Sequence, residues 1–146
     1  TVARLAQIDN IIGIKEAAGS LEAFSDIIRK CPDNFIVLSG DDFTSMPSVL
    51  VGGNGVISVT SNVYPAGMAK MIEAALAGDL VKAKERHYHM YDLMKMMFSV
   101  PSPAPAKKGV ELLGKIRSGL PRLPMAPMDE ATTAKLKAVM AELGLL

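Results

Sequence analysis

The architecture of the chain follows from one stretch, Asn10-Ile11-Ile12-Gly13-Ile14-Lys15-Glu16-Ala17-Ala18-Gly19. Its apolar run, bounded by polar residues, predicts a buried β-strand over residues 11–15. Because strand side chains alternate between faces, Ile11, Gly13 and Lys15 are expected to share one face of this strand. The strand therefore ends on a single charged side chain that shares its face with a glycine.

Lys15 is the candidate nucleophile. Its stem can lie over the surface that Gly13 leaves bare, so the amine is expected in a confined, mostly apolar space. Desolvation disfavours the charged form of an amine, so its pKa should fall from about 10.4 towards neutrality. A neutral lysine amine can attack a carbonyl and form a Schiff base. From spacing alone, a lysine whose amine simply reaches water at the strand end is the alternative.

Composition narrows the class of protein. The chain has 146 residues, 49% of them hydrophobic and 21% charged, which is the balance of a globular domain. A net charge of +1 gives no reason to expect a nucleic-acid partner. Cys31 is the single cysteine, so no internal disulfide forms and a reducing compartment is expected. Met90, Met94 and Met97 stand at helical spacing, which is typical of core or subunit packing.

The chain carries no sign of a membrane partner or an export signal. No apolar run approaches the ~20 residues of a membrane span, and no signal-peptide pattern opens the chain. A cytoplasmic protein is therefore expected. Thr1 stands where an initiator methionine would, and a buried strand follows closely. We therefore expect the chain to be part of a longer protein.

Two more apolar runs predict strands, over residues 34–39 and 56–59. Helices are predicted after the first two strands, over residues 21–30 and 43–51. Successive units of strand and helix imply a parallel α/β sheet. Beyond Pro65 only helices are predicted, over residues 66–77, 80–98, 106–117 and 129–143. Three strands cannot close a barrel, so the sheet should need further strands.

In parallel α/β folds, ligands gather at the carboxyl ends of the strands. Those ends carry Lys15, then Ser39-Gly40-Asp41, then Ile57-Ser58-Val59-Thr60. Gly40 allows close approach of backbone and ligand, and backbone groups near Ile57 can hold a small carboxylate or keto acid. These three segments should converge, and Lys15, Gly40 and Ile57 are the site residues predicted in them.

Other candidates have structural explanations. Asp41 and Asp42 precede a predicted helix and are interpreted as caps, with no acid–base role assigned to either. His87 and His89 lie two residues apart on a helix and diverge by about 200°, so they are interpreted as surface residues rather than metal ligands. The glycine-rich segment 52–55 precedes a strand, so a helix end and tight turn fit it better than a phosphate loop.

Three segments that follow one another along the chain resemble those of a known family. They are Ile11-Ile12-Gly13-Ile14-Lys15-Glu16-Ala17 with Gly19, Leu38-Ser39-Gly40-Asp41-Asp42, and Gly55-Val56-Ile57-Ser58-Val59-Thr60-Ser61-Asn62. They are similar to the C-terminal half of the pyruvate-dependent class I aldolases of the dihydrodipicolinate synthase and N-acetylneuraminate lyase family. The proline-rich loop 100–105 and the segment 123–125 extend the resemblance over nearly the whole chain.

The resemblance implies the C-terminal portion of a TIM (β/α)8 barrel, with the last three β/α units in residues 1–77 and a helical domain in residues 78–146. Lys15 matches the Schiff-base lysine, Ile57 the residue whose backbone contacts pyruvate, and Gly40 a residue of the same pocket. Some members bind a monovalent cation through backbone carbonyls at positions that match Ala6, Ile8, Asp9 and Ile11.

The implied reaction condenses pyruvate with aspartate 4-semialdehyde to give 4-hydroxy-tetrahydrodipicolinate, on the diaminopimelate route to lysine, without a cofactor. A homotetramer built as a dimer of dimers is implied as well. The acid–base tyrosine, the proton-relay residues and the carboxylate-binding arginine of the family belong to the earlier half, so the isolated chain should be inactive. A neuraminate lyase or keto-deoxy-sugar aldolase activity stays open, as does a non-catalytic packing role.

Overall fold

The fold is described from a computed structural model that covers all residues, 1–146. Three strands form one parallel sheet in the order β1-β2-β3, namely β1 (Gly13–Glu16), β2 (Ile36–Ser39) and β3 (Gly55–Val56). The helices are α1 (Val2–Leu5), α2 (Leu21–Lys30), α3 (Asp42–Leu50), α4 (Pro65–Leu76), α5 (Leu80–His89), α6 (Tyr91–Met97), α7 (Ala104–Leu112) and α8 (Glu130–Glu142), with a 3₁₀ helix at Thr60–Asn62. None of these helices combines the length and the apolar composition that crossing a bilayer requires.

The predicted parallel order of the strands is confirmed, but each strand is shorter than predicted. A strand extends only where a neighbour lies alongside, and β3 pairs with β2 alone. After β3 the chain turns into helical geometry at Val59. Apolar runs predict where a strand can form, whereas pairing decides where it stops.

The predicted distribution of side chains over the two faces of β1 is wrong at Ile11. Ile11 packs together with Ile14 against the buried residues Phe24, Phe35 and Val37. Side chains begin to alternate regularly between the two faces of the sheet only at Gly13, the first residue of β1. Ile11 therefore belongs to the helix-covered side of the sheet, and Lys15 lies on the other side of the strand from Ile14.

The chain divides into two compact units. The first comprises Thr1–Ser58 and Lys70–Lys84, and the second comprises Val59–Ala69 and Glu85–Leu146. Helices α4 and α5 each contribute residues to both units. The predicted domain boundary between residues 77 and 78 stays a prediction.

A methionine-rich core forms the second unit. Met90, Met94 and Met97 are fully buried, so the core packing predicted from their spacing is confirmed. Met97 lies in one cluster with Leu93, Leu136 and Met140. The single helix predicted over residues 80–98 is instead two helices separated at Met90, whose backbone departs from helical geometry. The spacing of the apolar residues continues across Met90, so the sequence pattern did not predict this break.

Candidate functional site

The carboxyl edge of the sheet carries the three predicted site residues. Lys15 is the third residue of β1 and pairs with Leu38 of β2. Gly40 follows the last residue of β2, and Ile57 follows the last residue of β3. The three strands are parallel neighbours, so their carboxyl ends bring Lys15, Gly40 and Ile57 to one edge.

The stem of Lys15 lies across Gly40. A Cβ atom at position 40 would stand 2.5 Å from Cε and 3.0 Å from Cγ of Lys15, and 2.7 Å from Cβ of Ala17. These separations are below van der Waals contact, so only glycine leaves room for the lysine stem. Gly40 is therefore the residue that leaves a bare surface for Lys15.

Gly13 has a different function from the one predicted. A Cβ atom at position 13 would stand 2.5 Å from the carbonyl oxygen of Ile36 and 2.8 Å from its Cβ. The space that Gly13 leaves is thus filled by the neighbouring strand, which approaches β1 closely. The prediction that Lys15 uses this space is wrong.

The predicted confinement of the lysine amine is not found in this chain. Lys15 is exposed, and so are Ile36 and Ile57, at 39% and 47% of their full accessible area. The helices cover the opposite side of the sheet, where Phe24 and Val37 are buried. Gly40 therefore supports the stem of Lys15, and no residue of this chain encloses the side chain.

Backbone amides at the site are already engaged. The amide of Ile57 donates a hydrogen bond to the carbonyl of Ser39 at 2.8 Å, and the amide of Gly40 donates to the carbonyl of Glu16 at 2.7 Å. The expectation that bare amides near Ile57 hold a carboxylate is therefore wrong for the Ile57 amide.

The turn after β2 is held by side chains. Oγ of Ser39 donates to the carbonyl of Asp41 at 3.0 Å and accepts from the Asp41 amide at 3.2 Å. Asp41 in turn caps α3, because its Oδ2 accepts from the amide of Thr44 at 2.9 Å and from the Thr44 hydroxyl at 2.7 Å. The capping prediction is confirmed for Asp41, whereas Asp42 is the first residue of α3 and is buried.

The sequence analysis placed Ser39 among the strand-end residues but gave it no role. It is the last residue of β2, and only 1% of its accessible area remains exposed. A serine that directly precedes a glycine and a capping aspartate is a signal for a side-chain-stabilised turn, since serine hydroxyls bond to backbone two residues on.

The residues considered for a monovalent cation lie together, near the amino end of β1. One cavity of about 310 Å³ is lined by Ala6, Ile8, Asp9 and Ile11, with Gln7, Ile12, Asn34 and Phe35. The carbonyl of Ile8 accepts a hydrogen bond from the amide of Ile11 at 2.9 Å, which engages one of the proposed ligands. Cation binding here stays a prediction.

The two histidines differ in environment. His89 is exposed, as predicted, but His87 is half-buried and its Nδ1 is buried without a hydrogen-bond partner. The His87 ring packs edge-on against Tyr88, with 5.3 Å between the ring centroids. Burial lowers the pKa of His87 below its ordinary value of 6.5. No cluster of three histidine, cysteine or acidic side chains suited to a metal ion is present.

We expect the stability of the protein to fall as the pH drops from about 7.5 to 5.5 because of His87. The folded-state pKa is lowered, so the unfolded chain binds the proton first and stability rises with pH across this range. Urea unfolding followed by circular dichroism at both pH values measures the change. His87→Gln should remove much of it, and the exposed His89→Gln should retain it. An unchanged pH dependence in His87→Gln would contradict the assignment.

The three parallel strands joined by helices define an α/β protein, and Lys15 lies at the edge of the sheet where proteins of this class bind their ligands. The chain belongs to the dihydrodipicolinate synthetase family, whose model matches residues 1–143. The curated 4-hydroxy-tetrahydrodipicolinate synthase of Desulfotalea psychrophila is 65% identical over 146 residues, which make up 100% of this chain and 49% of that protein. The chain spans about half the length of the curated relatives it matches.

Solved structures agree with this membership. A dihydrodipicolinate synthase from Thermotoga maritima matches with a TM-score of 0.95 and 36% identity, over 99% of this chain and 50% of that one. A chloride-inhibited dihydrodipicolinate synthase from Acinetobacter baumannii, complexed with pyruvate, matches with a TM-score of 0.94 and 33% identity, over 99% and 50%. The neuraminate lyase and keto-deoxy-sugar alternatives are not favoured by these findings.

Proposed function

We propose that this chain contributes the Schiff-base lysine to a 4-hydroxy-tetrahydrodipicolinate synthase. The observation that carries the proposal is Lys15 at the carboxyl edge of a parallel sheet, with its stem supported by Gly40, in a chain of this family. The pyruvate complex of the Acinetobacter baumannii neighbour supports a keto acid as the first substrate.

In the proposed reaction, the neutral amine of Lys15 attacks the ketone carbon of pyruvate, and water leaves to give a protonated imine. Loss of a methyl proton then gives an enamine. The enamine carbon attacks the aldehyde of aspartate 4-semialdehyde, and transimination with cyclisation releases 4-hydroxy-tetrahydrodipicolinate and restores the lysine. The imine serves as the electron sink, so the reaction requires no organic cofactor and no metal.

The remaining half of a TIM barrel is the partner that this mechanism needs. Exposed apolar side chains in or next to the three strands include Ile12 at 69%, Ile36 at 39% and Ile57 at 47%. Strands that complete a barrel would cover them and exclude water from the Lys15 amine. The same half would supply the acid–base and carboxylate-binding groups. A cytoplasmic homotetramer is part of this proposal.

The proposal is tested by trapping the imine. The protein for this experiment is the chain fused behind the half of the Desulfotalea psychrophila relative that it does not match, called the joined protein from here on. Pyruvate and borohydride should convert Lys15 into a stable secondary amine, which peptide mass spectrometry locates. Lys15→Ala should give no adduct at that peptide.

Two outcomes would change the assignment. A folded joined protein that forms no adduct with pyruvate would overturn the Schiff-base function. An adduct combined with turnover of a sugar-derived aldehyde, and none of aspartate 4-semialdehyde, would show that the second substrate is wrong while the lysine chemistry stands.

A further inference from the structure

The hydroxyl group of Ser39 makes two of the hydrogen bonds that hold the turn between β2 and α3. Oγ of Ser39 uses both its donor and its acceptor function on the backbone of Asp41, at 3.0 and 3.2 Å. Gly40 lies between these two residues. Because glycine has the greatest backbone freedom of any residue, its position in a turn depends on how firmly its neighbours are held. The Ser39 hydroxyl therefore restricts Gly40 from both sides.

Gly40 is also the residue against which Lys15 lies. Its amide donates to the carbonyl of Glu16 at 2.7 Å, which ties the turn to the residue that follows Lys15. Its Cα surface receives the lysine stem, with Cε of Lys15 2.5 Å from where a Cβ would stand. A shift of the turn would move the surface that supports the stem, and the amine would move with it.

We propose that Ser39 is a positioning residue for Lys15, which acts through Gly40 and does not touch the keto acid. Only 1% of the accessible area of Ser39 is exposed, so its side chain is not available to contact a substrate directly. Its effect on the reaction rests on the proposed function, whereas its effect on the lysine stem does not.

The test compares two buried serines in the joined protein. Ser39→Ala removes both bonds to Asp41. Ser45→Ala is the matched control, because Ser45 is also fully buried and its hydroxyl donates to a backbone carbonyl, that of Asp42 at 2.8 Å, but within α3 and outside the turn. Both variants lose one buried hydroxyl, so a general loss of stability should affect them alike.

The first measurement does not depend on catalysis. With lysine and glycine isotopically labelled, nuclear Overhauser contacts between the Lys15 Hε and Gly40 Hα protons should be strong in the unaltered protein and in Ser45→Ala. They should weaken severalfold in Ser39→Ala. If Ser39→Ala does not fold, Ser39→Cys keeps the shape with a weaker hydrogen-bonding group and should weaken the contact partly. Contacts of unchanged strength in the folded variant would overturn the proposal.

The second measurement is kinetic. We expect kcat to fall by about 10-fold in Ser39→Ala with KM for both substrates nearly unchanged, because misplacing a reacting group lowers the rate more than the binding. Ser45→Ala should stay within about 2-fold of the unaltered protein. Equal kcat in the two variants would overturn the positioning role. A joined protein without any pyruvate adduct would overturn the proposed function, and the Overhauser contacts would still decide the role of Ser39.

Discussion

Replacing Lys15 by alanine is expected to lower turnover of the joined protein by on the order of 10³-fold or more, because no other group can form the imine. The fold of the chain on its own should be unaffected, since the Lys15 side chain is exposed there and is supported only along its stem. The free energy of unfolding should therefore change by about 0.5 kcal/mol or less. Formation of product from pyruvate and aspartate 4-semialdehyde measures the activity, and urea unfolding measures the stability.

Two control variants separate the nucleophile from its charge. Lys15→Arg keeps the positive charge but cannot become a neutral amine, so it should be as inactive as the alanine variant. Lys84→Ala removes another exposed lysine of the first unit and should keep full activity. Substantial turnover by Lys15→Arg would show that the side chain acts as a fixed cation and not as a nucleophile.

Replacing Gly40 by alanine is expected to slow pyruvate adduct formation by about 10²-fold, because displacement of a reacting group by about 1 Å has an effect of this size. The added methyl would meet Cε of Lys15 at 2.5 Å. The lysine stem is flexible and will move first, so the amine is displaced while the sheet persists. The rate of borohydride-trapped adduct at saturating pyruvate measures this effect.

The space at Gly40 could be needed by the Lys15 stem or by the substrate. A second substitution distinguishes these two explanations. The added methyl also meets Cβ of Ala17, at 2.7 Å. Ala17→Gly opens that side, so the double variant should recover part of the lost rate. If Gly40→Ala raises KM for pyruvate and leaves the saturated rate unchanged, the glycine serves substrate access and the lysine stem is not constrained by it.

Local features of the fold and site were predictable from sequence. The end of an apolar run locates Lys15 and Gly40 at strand ends, because a strand and its boundary are encoded within a few residues. The cap at Asp41 was predictable for the same reason, since its partner Thr44 is three residues away. The parallel order followed from the alternation of strands and helices.

Features that depend on residues distant in sequence were not predictable. Gly13 accommodates Ile36, and Gly40 accommodates Lys15, and both pairs are set by the register of two strands. A single sequence contains no signal for that register beyond the apolar pattern. The sequence analysis also placed His87 at the surface, although its side chain is half-buried. The exposure of Lys15 agrees with the expectation that a three-stranded sheet needs further strands to close a barrel.

The interleaving of the two compact units limits how the gene for this protein can be recombined. Val59–Ala69 belongs with Glu85–Leu146, although Lys70–Lys84 between them belongs with the beginning of the chain. Any single crossover with a homologous gene inside this interval would give each unit a mixture of two ancestries. Crossovers before Val59 or after Lys84 leave one of the units with a single parent, so shuffled libraries should be enriched in functional chimeras with junctions there.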